Sequence, residues 1–315
     1  MKKILITGGG GFLGSNLAKY ISESTDHEIT SIGKSRELKR ELFPRELYFD
    51  QDLLNLDTCL FFTKNIDWVF DFAAIAGNYK FLLDNAAEIM YKNVQMNLNI
   101  LEASRINKVE RILFASSSAI YPATDKGVFT EEDDYPLNPE NRFYGLEKAY
   151  MENLYILYQK KYGIKTYLPR TSVNYGLFIP YIGVKAKSFA EICKRLIEIK
   201  NGETLELYGD GNQLRDMIYS EDCAEIFYKL INSDMHDPIN VSTGEGITIN
   251  KLVNIAAKHL NKEIKISYDV KKNMGAKTRI SDNTKIKTLL EWKSKTSPEE
   301  GVAKMIDWMK SEMKL

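Results

Sequence analysis

The sequence predicts an α/β fold in which a doubly wound parallel sheet is followed by a smaller C-terminal α+β lobe. In the first half, short apolar runs alternate with stretches of helical periodicity, and the connections between them are short. Such alternation is typical of parallel strands joined by right-handed crossovers, with helices on both faces of the sheet. After Arg170 this alternation stops, which indicates a different arrangement of helices and short strands.

Each predicted element follows from its own pattern. The strands are short apolar runs, as expected for strands buried on both faces; they span residues 4–6, 28–32, 47–49, 68–70, 111–114 and 166–168. The helices carry apolar residues at helical spacing; they span residues 12–20, 85–107, 143–162, 186–200, 221–232, 249–260 and 298–313, and a further short strand spans 205–207. Gly163 is a predicted helix C-cap.

The chain length of 315 residues allows one large domain or two smaller ones. We expect a Rossmann-type sheet domain over residues 1–173, with a return segment at about 217–245, and a lobe formed by residues 174–216 and 246–315. Because no linker rich in Pro or Ser separates the two parts, we expect the lobe to pack directly on the sheet domain.

Composition argues against several classes of protein. The chain has 43 basic residues (Lys plus Arg) and 43 acidic residues (Asp plus Glu). A general nucleic-acid-binding protein needs an excess of basic residues. No apolar run is long enough to span a membrane, and the run after Met1 is too short for a signal peptide, so a cytoplasmic protein is expected. Cys59, Cys193 and Cys223 are odd in number and far apart, which predicts neither a disulfide framework nor a metal site.

A glycine-rich turn lies where the first predicted strand passes into the first predicted helix. The segment Thr7-Gly8-Gly9-Gly10-Gly11-Phe12-Leu13-Gly14 offers main-chain N–H groups without obstructing side chains, at a helix N-terminus whose dipole favours anions. A flexible loop is the alternative, but the order of strand, turn and helix favours binding of a dinucleotide pyrophosphate. The predicted contacts are Gly8, Gly11, Phe12, Leu13 and Gly14.

The end of the second predicted strand bears on the choice of cofactor. NAD-binding sheets usually end this strand with Asp or Glu, which binds the ribose 2′-hydroxyl, but Gly33 stands there. Lys34, Ser35 and Arg36 follow and would suit a 2′-phosphate. The alternative is that Lys34 and Arg36 begin a solvated charged stretch. We therefore expect NADP(H), with NAD(H) as the alternative.

Tyr144 and Lys148 lie four residues apart in a predicted helix and therefore on one face of it. An ammonium group beside a phenol favours the phenolate, which suits Tyr144 to acid–base chemistry. Tyr268 and Lys272 share this spacing. Only Tyr144, however, follows a predicted strand that ends in serines, Ser116 to Ser118, so Tyr144 and Lys148 are the predicted catalytic pair.

The spacing Thr7-Gly8-x-x-Gly11-x-x-Gly14 resembles that of the extended short-chain dehydrogenase/reductase family, or NAD-dependent epimerase/dehydratase family. The resemblance extends almost to the C-terminus, and it implies a nicotinamide cofactor. It also implies that Ser117 is the catalytic Ser/Thr beside Tyr144 and Lys148. The cofactor contacts that it adds are Asp52, Leu53, Ala73, Ala74 and Asn93, together with Tyr144 and Lys148 themselves.

The second half resembles the nucleotide-sugar branch of this family. The segment from Gly209 to Asp216 is similar to a sugar-nucleotide clamp in which an arginine, here Arg215, holds the diphosphate. Lys272 and Arg279 would supply a second cation, although each of the three is also explained as a surface charge. The resemblance implies further substrate contacts from Ser117, Ser118, Asn174 and Lys187. The enzymes most similar act on GDP-sugars, as GDP-mannose 3,5-epimerase and GDP-fucose synthase do.

Two departures from the family narrow the expected reaction. Sugar-nucleotide 4,6-dehydratases carry Asp/Glu directly after the catalytic Ser/Thr, where this chain has Ser118 and Ala119. The 3,5-epimerases use a cysteine at the position of Ala119, paired with a residue that Lys187 would match. Since alanine transfers no proton, hydride and proton exchange at one carbon remains, most simply carbon 4.

We therefore predict NADPH-dependent reduction of a 4-keto nucleotide-sugar, with the proton supplied by Tyr144. A nucleotide-sugar 4-epimerase with tightly bound NAD is the alternative, and a catalytically silent dinucleotide-binding scaffold is a third, from another class. The resemblance also implies a homodimer in which helices 85–107 and 143–162 form a four-helix bundle. Apolar residues on these helices would suit a bundle or, equally well, the chain's own core: Met96, Leu98, Leu101, Met151, Leu154, Ile156 and Tyr158.

Overall fold

The computed structural model of the protein describes residues 1–34, 46–122, 127–133, 142–271 and 277–315. Within these residues the chain forms sixteen strands and ten α-helices. The strands are β1 (Lys3–Thr7), β2 (Glu28–Gly33), β3 (Glu46–Asp50), β4 (Trp68–Asp71), β5 (Arg111–Phe114), β6 (Ser116–Ser117), β7 (Val128–Phe129), β8 (Lys165–Tyr167), β9 (Pro169–Thr171), β10 (Val173–Tyr175), β11 (Thr204–Tyr208), β12 (Leu214–Tyr219), β13 (Ile239–Val241), β14 (Gly246–Thr248), β15 (Lys265–Asp269) and β16 (Thr278–Ser281). The helices are α1 (Phe12–Ser24), α2 (Leu56–Thr63), α3 (Tyr79–Asp84), α4 (Ala86–Ile106), α5 (Arg142–Tyr162), α6 (Ser188–Glu198), α7 (Ser220–Ile231), α8 (Ile249–His259), α9 (Thr284–Leu290) and α10 (Pro298–Glu312).

Six of the strands form one parallel sheet in the order β3-β2-β1-β4-β5-β8. These six strands coincide with the six predicted apolar runs, and the sheet confirms the predicted doubly wound fold. The strand order reverses direction at β1 and β4. The loops that leave the carboxyl ends of these two strands therefore diverge and open a crevice, which is where such sheets bind ligands.

Both faces of the sheet are buried at its inner strands, as their apolar runs require, whereas the edge strand β3 is partly exposed. In β1, Ile4 and Ile6 belong to an apolar cluster that includes Phe227 of α7. Leu5 belongs to a second cluster, which includes Met151 of α5. Alternation of side chains along a strand explains this division. Each fully buried aliphatic side chain stabilises the fold by about 2 kcal/mol through its removal from water.

The smaller lobe has its own apolar cluster. Helices α6, α8 and α10 contribute Cys193, Leu252 and Met305 to it, and β10, β11 and β12 contribute further side chains. Strand β12 pairs with β10, β14 and β16. The return segment behaves differently, since Phe227 of α7 and Val241 of β13 pack in the cluster of the central sheet. The domain boundaries themselves stay a prediction.

Some features that bear on function are absent from the described parts of the chain. No helix there is both long and apolar enough to cross a membrane, and no three metal-ligating side chains are grouped there. Cys59, Cys193 and Cys223 are buried and free. Burial raises the pKa of Cys59 to about 12, which keeps this thiol in its unreactive, protonated form.

Candidate active site

The glycine turn between β1 and α1 allows close approach of the main chain. Gly8 has a φ of 63°, and a Cβ placed on it would lie 2.7 Å from the carbonyl oxygen of Phe72. A Cβ on Gly14 would overlap the carbonyl oxygen of Gly8. Only glycine satisfies both conditions. Ser15 fixes the turn, because its hydroxyl donates a 2.6 Å hydrogen bond to the carbonyl oxygen of Gly11.

The N-terminus of α1 is open to an anion. Its N-cap residue is Gly11, which makes no side-chain hydrogen bond to the first turn, and this turn holds no acidic residue. Phe12 and Leu13 begin the helix, and both are half-buried. The N–H groups of the first turn and the helix dipole favour a phosphate here. The turn therefore fits the pyrophosphate of a dinucleotide cofactor.

Two charged groups pair with each other near the ends of β2 and β3. The Lys34 ammonium donates a 2.6 Å hydrogen bond to the Asp52 carboxylate. This bond, with a second one from the Leu54 N–H, holds the pKa of Asp52 below its ordinary value. One of the cations predicted to receive a 2′-phosphate is thus already engaged. Ser35 and Arg36 lie outside the described residues.

The other predicted cofactor contacts differ in what they offer a ligand. The Leu53 side chain is 3 % exposed and belongs to the core of the sheet, so only its main chain is available. In the loop after β4, Ala73 is buried and Ala74 is exposed. Asn93 of α4 accepts a 2.7 Å hydrogen bond from the N–H of Ile75, which fixes this loop against the helix.

A buried carboxylate, Asp71, ends β4 beside the start of the glycine turn. Thr7 Oγ1 donates to its Oδ1 (2.6 Å), and the Tyr155 hydroxyl donates to its Oδ2 (2.7 Å). Burial raises the pKa of Asp71 to about 6, although these hydrogen bonds and the charge of Lys148 oppose the rise. Thr7 Oγ1 also accepts the N–H groups of the two residues after Asp71. The network joins β1, α5 and the loop after β4.

The three predicted catalytic residues lie on neighbouring elements. Tyr144 and Lys148 are on α5, which packs on β6 and on the short 3₁₀ helix that follows it. Lys148 is 4 % exposed, and its Nζ lies 5.8 Å from the centre of the Tyr144 ring and 4.5 Å from that of Phe114. Ser117 ends β6, and its Oγ accepts a 3.1 Å hydrogen bond from the Ala119 N–H.

A buried ion pair stabilises this arrangement, and the sequence analysis did not predict it. Glu152 of α5 and Arg170 of β9 pair in the interior, with side chains 0 % and 3 % exposed. The hydroxyl of Ser116, next to the catalytic serine, donates a 2.6 Å hydrogen bond to Glu152. The pair therefore holds the end of β6 against α5. A signal was available, since Glu152 follows Tyr144 and Lys148 at intervals of eight and four residues on one helix face.

Two arginines predicted to bind substrate are neighbours in the lobe. Arg215 of β12 and Arg279 of β16 stand opposite each other in a parallel register. Burial lowers the pKa of Arg215, and it lowers that of Arg279 to about 10. A bound anion would offset the cost of burying each guanidinium group. Lys272 lies outside the described residues.

The remaining predicted substrate contacts come from three other elements. Ser118 is 4 % exposed in the 3₁₀ helix after β6. Asn174 of β10 donates to the Ser172 carbonyl oxygen (3.1 Å), while its Oδ1 is buried with no hydrogen-bond partner in the described part of the chain. A ligand donor would satisfy this oxygen. Lys187 is the N-cap residue of α6, and burial lowers its pKa. Their approach to one ligand stays a prediction.

The apolar side chains of α4 and α5 named for a bundle or for the chain's own core all pack in or against that core; besides Leu101 and Met151 these are Met96, Leu98, Leu154, Ile156 and Tyr158. Leu101 and Met151 are fully buried in the chain's own core, because they face the central sheet, so they offer no surface to a partner. Tyr91, Tyr150 and Leu157 are exposed instead, at 68 %, 52 % and 59 %. Since Tyr150 and Leu157 are seven residues apart on α5, they share a helix face.

Comparison with known proteins supplies an independent observation. Residues 4–242 match the NAD dependent epimerase/dehydratase family. The chain is 33 % identical over 316 residues to GDP-mannose 3,5-epimerase 1 of Oryza sativa subsp. indica, which covers 99 % of this chain and 82 % of that protein. It is 27 % identical to GDP-L-colitose synthase of Yersinia pseudotuberculosis, with 98 % of each chain covered. A crystal structure of UDP-glucose 4-epimerase from Thermotoga maritima with UDP-glucose has the same fold, with a TM-score of 0.89 and 24 % identity over 99 % of both chains.

Proposed function

Because the chain belongs to the NAD dependent epimerase/dehydratase family, we propose that it reduces a 4-keto nucleotide-sugar with NADPH. Family membership confirms the predicted resemblance and identifies an NAD(P)-dependent enzyme of the extended short-chain dehydrogenase/reductase type. It favours an enzyme over a catalytically silent scaffold.

The choice of the proposed reaction depends on the residue at position 119. Ala119 is 2 % exposed and stands where the resemblance places the proton-transferring cysteine of the 3,5-epimerases. A methyl group neither accepts nor donates a proton. Ser118 likewise stands where the dehydratases have a carboxylate. Reduction needs neither group, since Ser117, Tyr144 and Lys148 are sufficient for it.

In the proposed reaction, the Tyr144 hydroxyl gives its proton to the oxygen on carbon 4 as the carbonyl double bond breaks. The reduced nicotinamide, when bound, supplies the hydride that forms the new C–H bond. Ser117 donates a hydrogen bond to the same oxygen, which orients the carbonyl and stabilises the negative charge that develops there. The Lys148 ammonium stabilises the phenolate of Tyr144 until a proton returns from solvent.

We propose that the enzyme binds its substrate through a nucleoside diphosphate group. Arg215 and Arg279 stand opposite each other on paired strands, and guanidinium groups suit the charge of a diphosphate. The relatives named GDP-mannose 3,5-epimerase and GDP-L-colitose synthase match almost the whole chain, which favours guanosine as the base. We therefore take a GDP-linked 4-keto sugar as the substrate.

A 4-epimerase that retains NAD is the second candidate, and the ion pair between Lys34 and Asp52 favours it. A lysine already engaged by a carboxylate is a poorer partner for a 2′-phosphate. Analysis of the nucleotide released from purified, denatured protein separates the two candidates. Stoichiometric NAD that does not exchange with added cofactor would favour the epimerase, whereas free exchange of NADP(H) would favour the reductase.

We expect the enzyme to act as a homodimer in which α4 and α5 of two chains form a four-helix bundle. The exposed side chains of Tyr91, Tyr150 and Leu157 support this, because large apolar groups on neighbouring helices are typical of a contact surface. The α4–α5 pair is already packed within one chain, which leaves its outer face for the partner.

The proposed function is tested by following the oxidation of NADPH or NADH with 4-keto sugars carried on GDP, CDP, dTDP or UDP. We expect NADPH and the GDP-linked sugar to react fastest. Tyr144→Phe should reduce turnover by about 10²- to 10⁴-fold. Tyr268→Phe, which alters the other tyrosine four residues before a lysine, should leave it unchanged. No oxidation with any carrier, or full turnover by Tyr144→Phe, would contradict the proposal.

A further inference from the structure

Glu147 lies between Tyr144 and Lys148 in the chain and has no part in the reaction described so far. Its side chain is fully buried, and its Oε1 lies 4.0 Å from Lys148 Nζ. A buried carboxylate is destabilising unless another charge or hydrogen bonds compensate it. The fold thus places a negative charge against the catalytic ammonium, inside the protein.

The two carboxylate oxygens of Glu147 have different surroundings. Oε2 accepts a 3.0 Å hydrogen bond from Asn93 Nδ2, whereas Oε1 has no hydrogen-bond partner in the described ranges and faces the ammonium. Asn93 in turn accepts from the N–H of Ile75 (2.7 Å) and donates to its carbonyl oxygen (3.2 Å). Glu147 is therefore joined, through Asn93, to the loop after β4.

Two carboxylates act on the Lys148 ammonium, one from each side of the α5–sheet contact. Glu147 comes from the same helix, and Asp71 comes from β4, where the charge of Lys148 opposes the effect of burial on the pKa of Asp71. Burial raises the pKa of Glu147, and Lys148 and Asn93 oppose that rise. Within the described part of the chain, the ammonium also lies near the uncharged rings of Tyr144 and Phe114. When both carboxylates are ionised, the group of three has a net negative charge.

Two further charged groups near this part of α5 are paired with each other. Glu152 is paired with Arg170 in the interior, and the Tyr155 hydroxyl donates to Asp71 without carrying a charge. Among these groups of the described residues, Lys148 and its two carboxylates are the charges that would act on a ligand beside Tyr144.

We propose that Glu147 is a positioning residue that holds the Lys148 ammonium and offsets its charge, so that the site favours an oxidised, positively charged nicotinamide. Negative charge stabilises the positive ring. This effect favours hydride transfer from the cofactor to the substrate. The inference rests on the proposed reduction, because only in that direction does the ring become positive.

The test compares Glu147→Gln with the wild type in separate titrations with NADP⁺ and with NADPH, without any sugar. Glutamine keeps the size of the side chain and an acceptor for Asn93 but has no charge. We expect the ratio of the Kd of NADP⁺ to that of NADPH to rise about fivefold, because loss of a negative charge weakens binding of the positive ring alone. If Glu147 had a merely structural role, its replacement would weaken the binding of NADP⁺ and of NADPH equally. Glu198→Gln, at the exposed Lys194–Glu198 pair of α6, is the matched control and should leave the ratio unchanged.

A second readout uses the conservative variant. Glu147→Asp, which keeps the charge, should retain most of the wild-type ratio of the two Kd values.

If the Glu147→Gln protein does not fold, the Asp71→Asn protein provides the test. In it, Glu147 is the carboxylate left beside Lys148, and burial raises the pKa of Glu147, so the same Kd ratio should rise as the pH is lowered and Glu147 takes up a proton. An unchanged ratio in either experiment overturns the role of Glu147 and leaves the proposed reduction standing. Normal binding without turnover of any sugar overturns the reduction alone. A wild type that binds neither form of the cofactor overturns both.

Discussion

Replacement of Asp71 by asparagine tests what the buried carboxylate at the end of β4 does to stability. The side chain is 1 % exposed, and burial raises its pKa from 3.8 to about 6. The folded protein therefore binds this proton more tightly than the unfolded chain does. Stability from this group is present at low pH and is lost as the pH rises through about 6. The full rise in pKa corresponds to about 3 kcal/mol, of which about 1.4 kcal/mol is lost between about pH 5 and pH 8.

Urea unfolding of the wild type and of Asp71→Asn across this pH range measures the effect. The difference between their free energies of unfolding should change by about 1.4 kcal/mol in favour of the variant as the pH rises. Asparagine still accepts a hydrogen bond from Thr7 or from Tyr155 but not from both. A pH-independent offset of about 1 kcal/mol against the variant is therefore also expected. Asp234→Asn is the control, because its side chain is 91 % exposed, and it should follow the wild type. Parallel curves for the wild type and Asp71→Asn would refute the reasoning.

Three further substitutions test the remaining parts of the site. Gly14→Ala should weaken cofactor binding more than about tenfold in calorimetric titrations, because its Cβ overlaps the carbonyl oxygen of Gly8; wild-type affinity would count against a tight turn. Arg215→Ala and Arg279→Ala should each weaken GDP binding by about tenfold to a hundredfold and leave cofactor binding unchanged; equal losses for both ligands would point to misfolding. Leu157→Asp should give a monomer in light scattering, and an unchanged mass would place the dimer contact elsewhere.

Most strands of the central sheet could be predicted because they are buried on both faces; the edge strand β3, with Leu47 63 % exposed, is the exception. An apolar run such as 4–6 is then visible without knowledge of its partners. Helix α2 could not be predicted in this way, because only Cys59 and Thr63 of its eight residues are buried. Its one local signal is Asn55, whose side chain caps the helix by accepting the Asp57 N–H at 2.8 Å. Strands of two or three residues, such as β6 and β13, are too short for any periodicity to show.

In the site, too, local features could be predicted from the sequence and contacts between distant residues could not. The glycine turn and the pair Tyr144 and Lys148 are each contained in a few consecutive residues, so their chemistry is visible in the sequence. Asp71 and Tyr155 meet across 84 positions of the chain. Such a contact depends on which helix covers which strand, and no spacing within the sequence records it. The sequence could suggest that Asp71 is unusual, as a charged residue at the end of a buried run, but not what compensates it.

The similarity of the whole chain to a 3,5-epimerase and the presence of alanine at position 119 lead to different conclusions about the reaction. The 33 % identity to a GDP-mannose 3,5-epimerase covers 99 % of the chain. Inversion at a carbon, however, needs one group to remove a proton from one face and a second group to return a proton to the other. By the resemblance, Lys187 would stand where the 3,5-epimerases have one of the two groups. The buried methyl group of Ala119 cannot be the other, and its N–H donates a hydrogen bond to Ser117 Oγ. Without a partner in proton transfer, Lys187 stays a predicted substrate contact, which is why we propose a reaction confined to carbon 4.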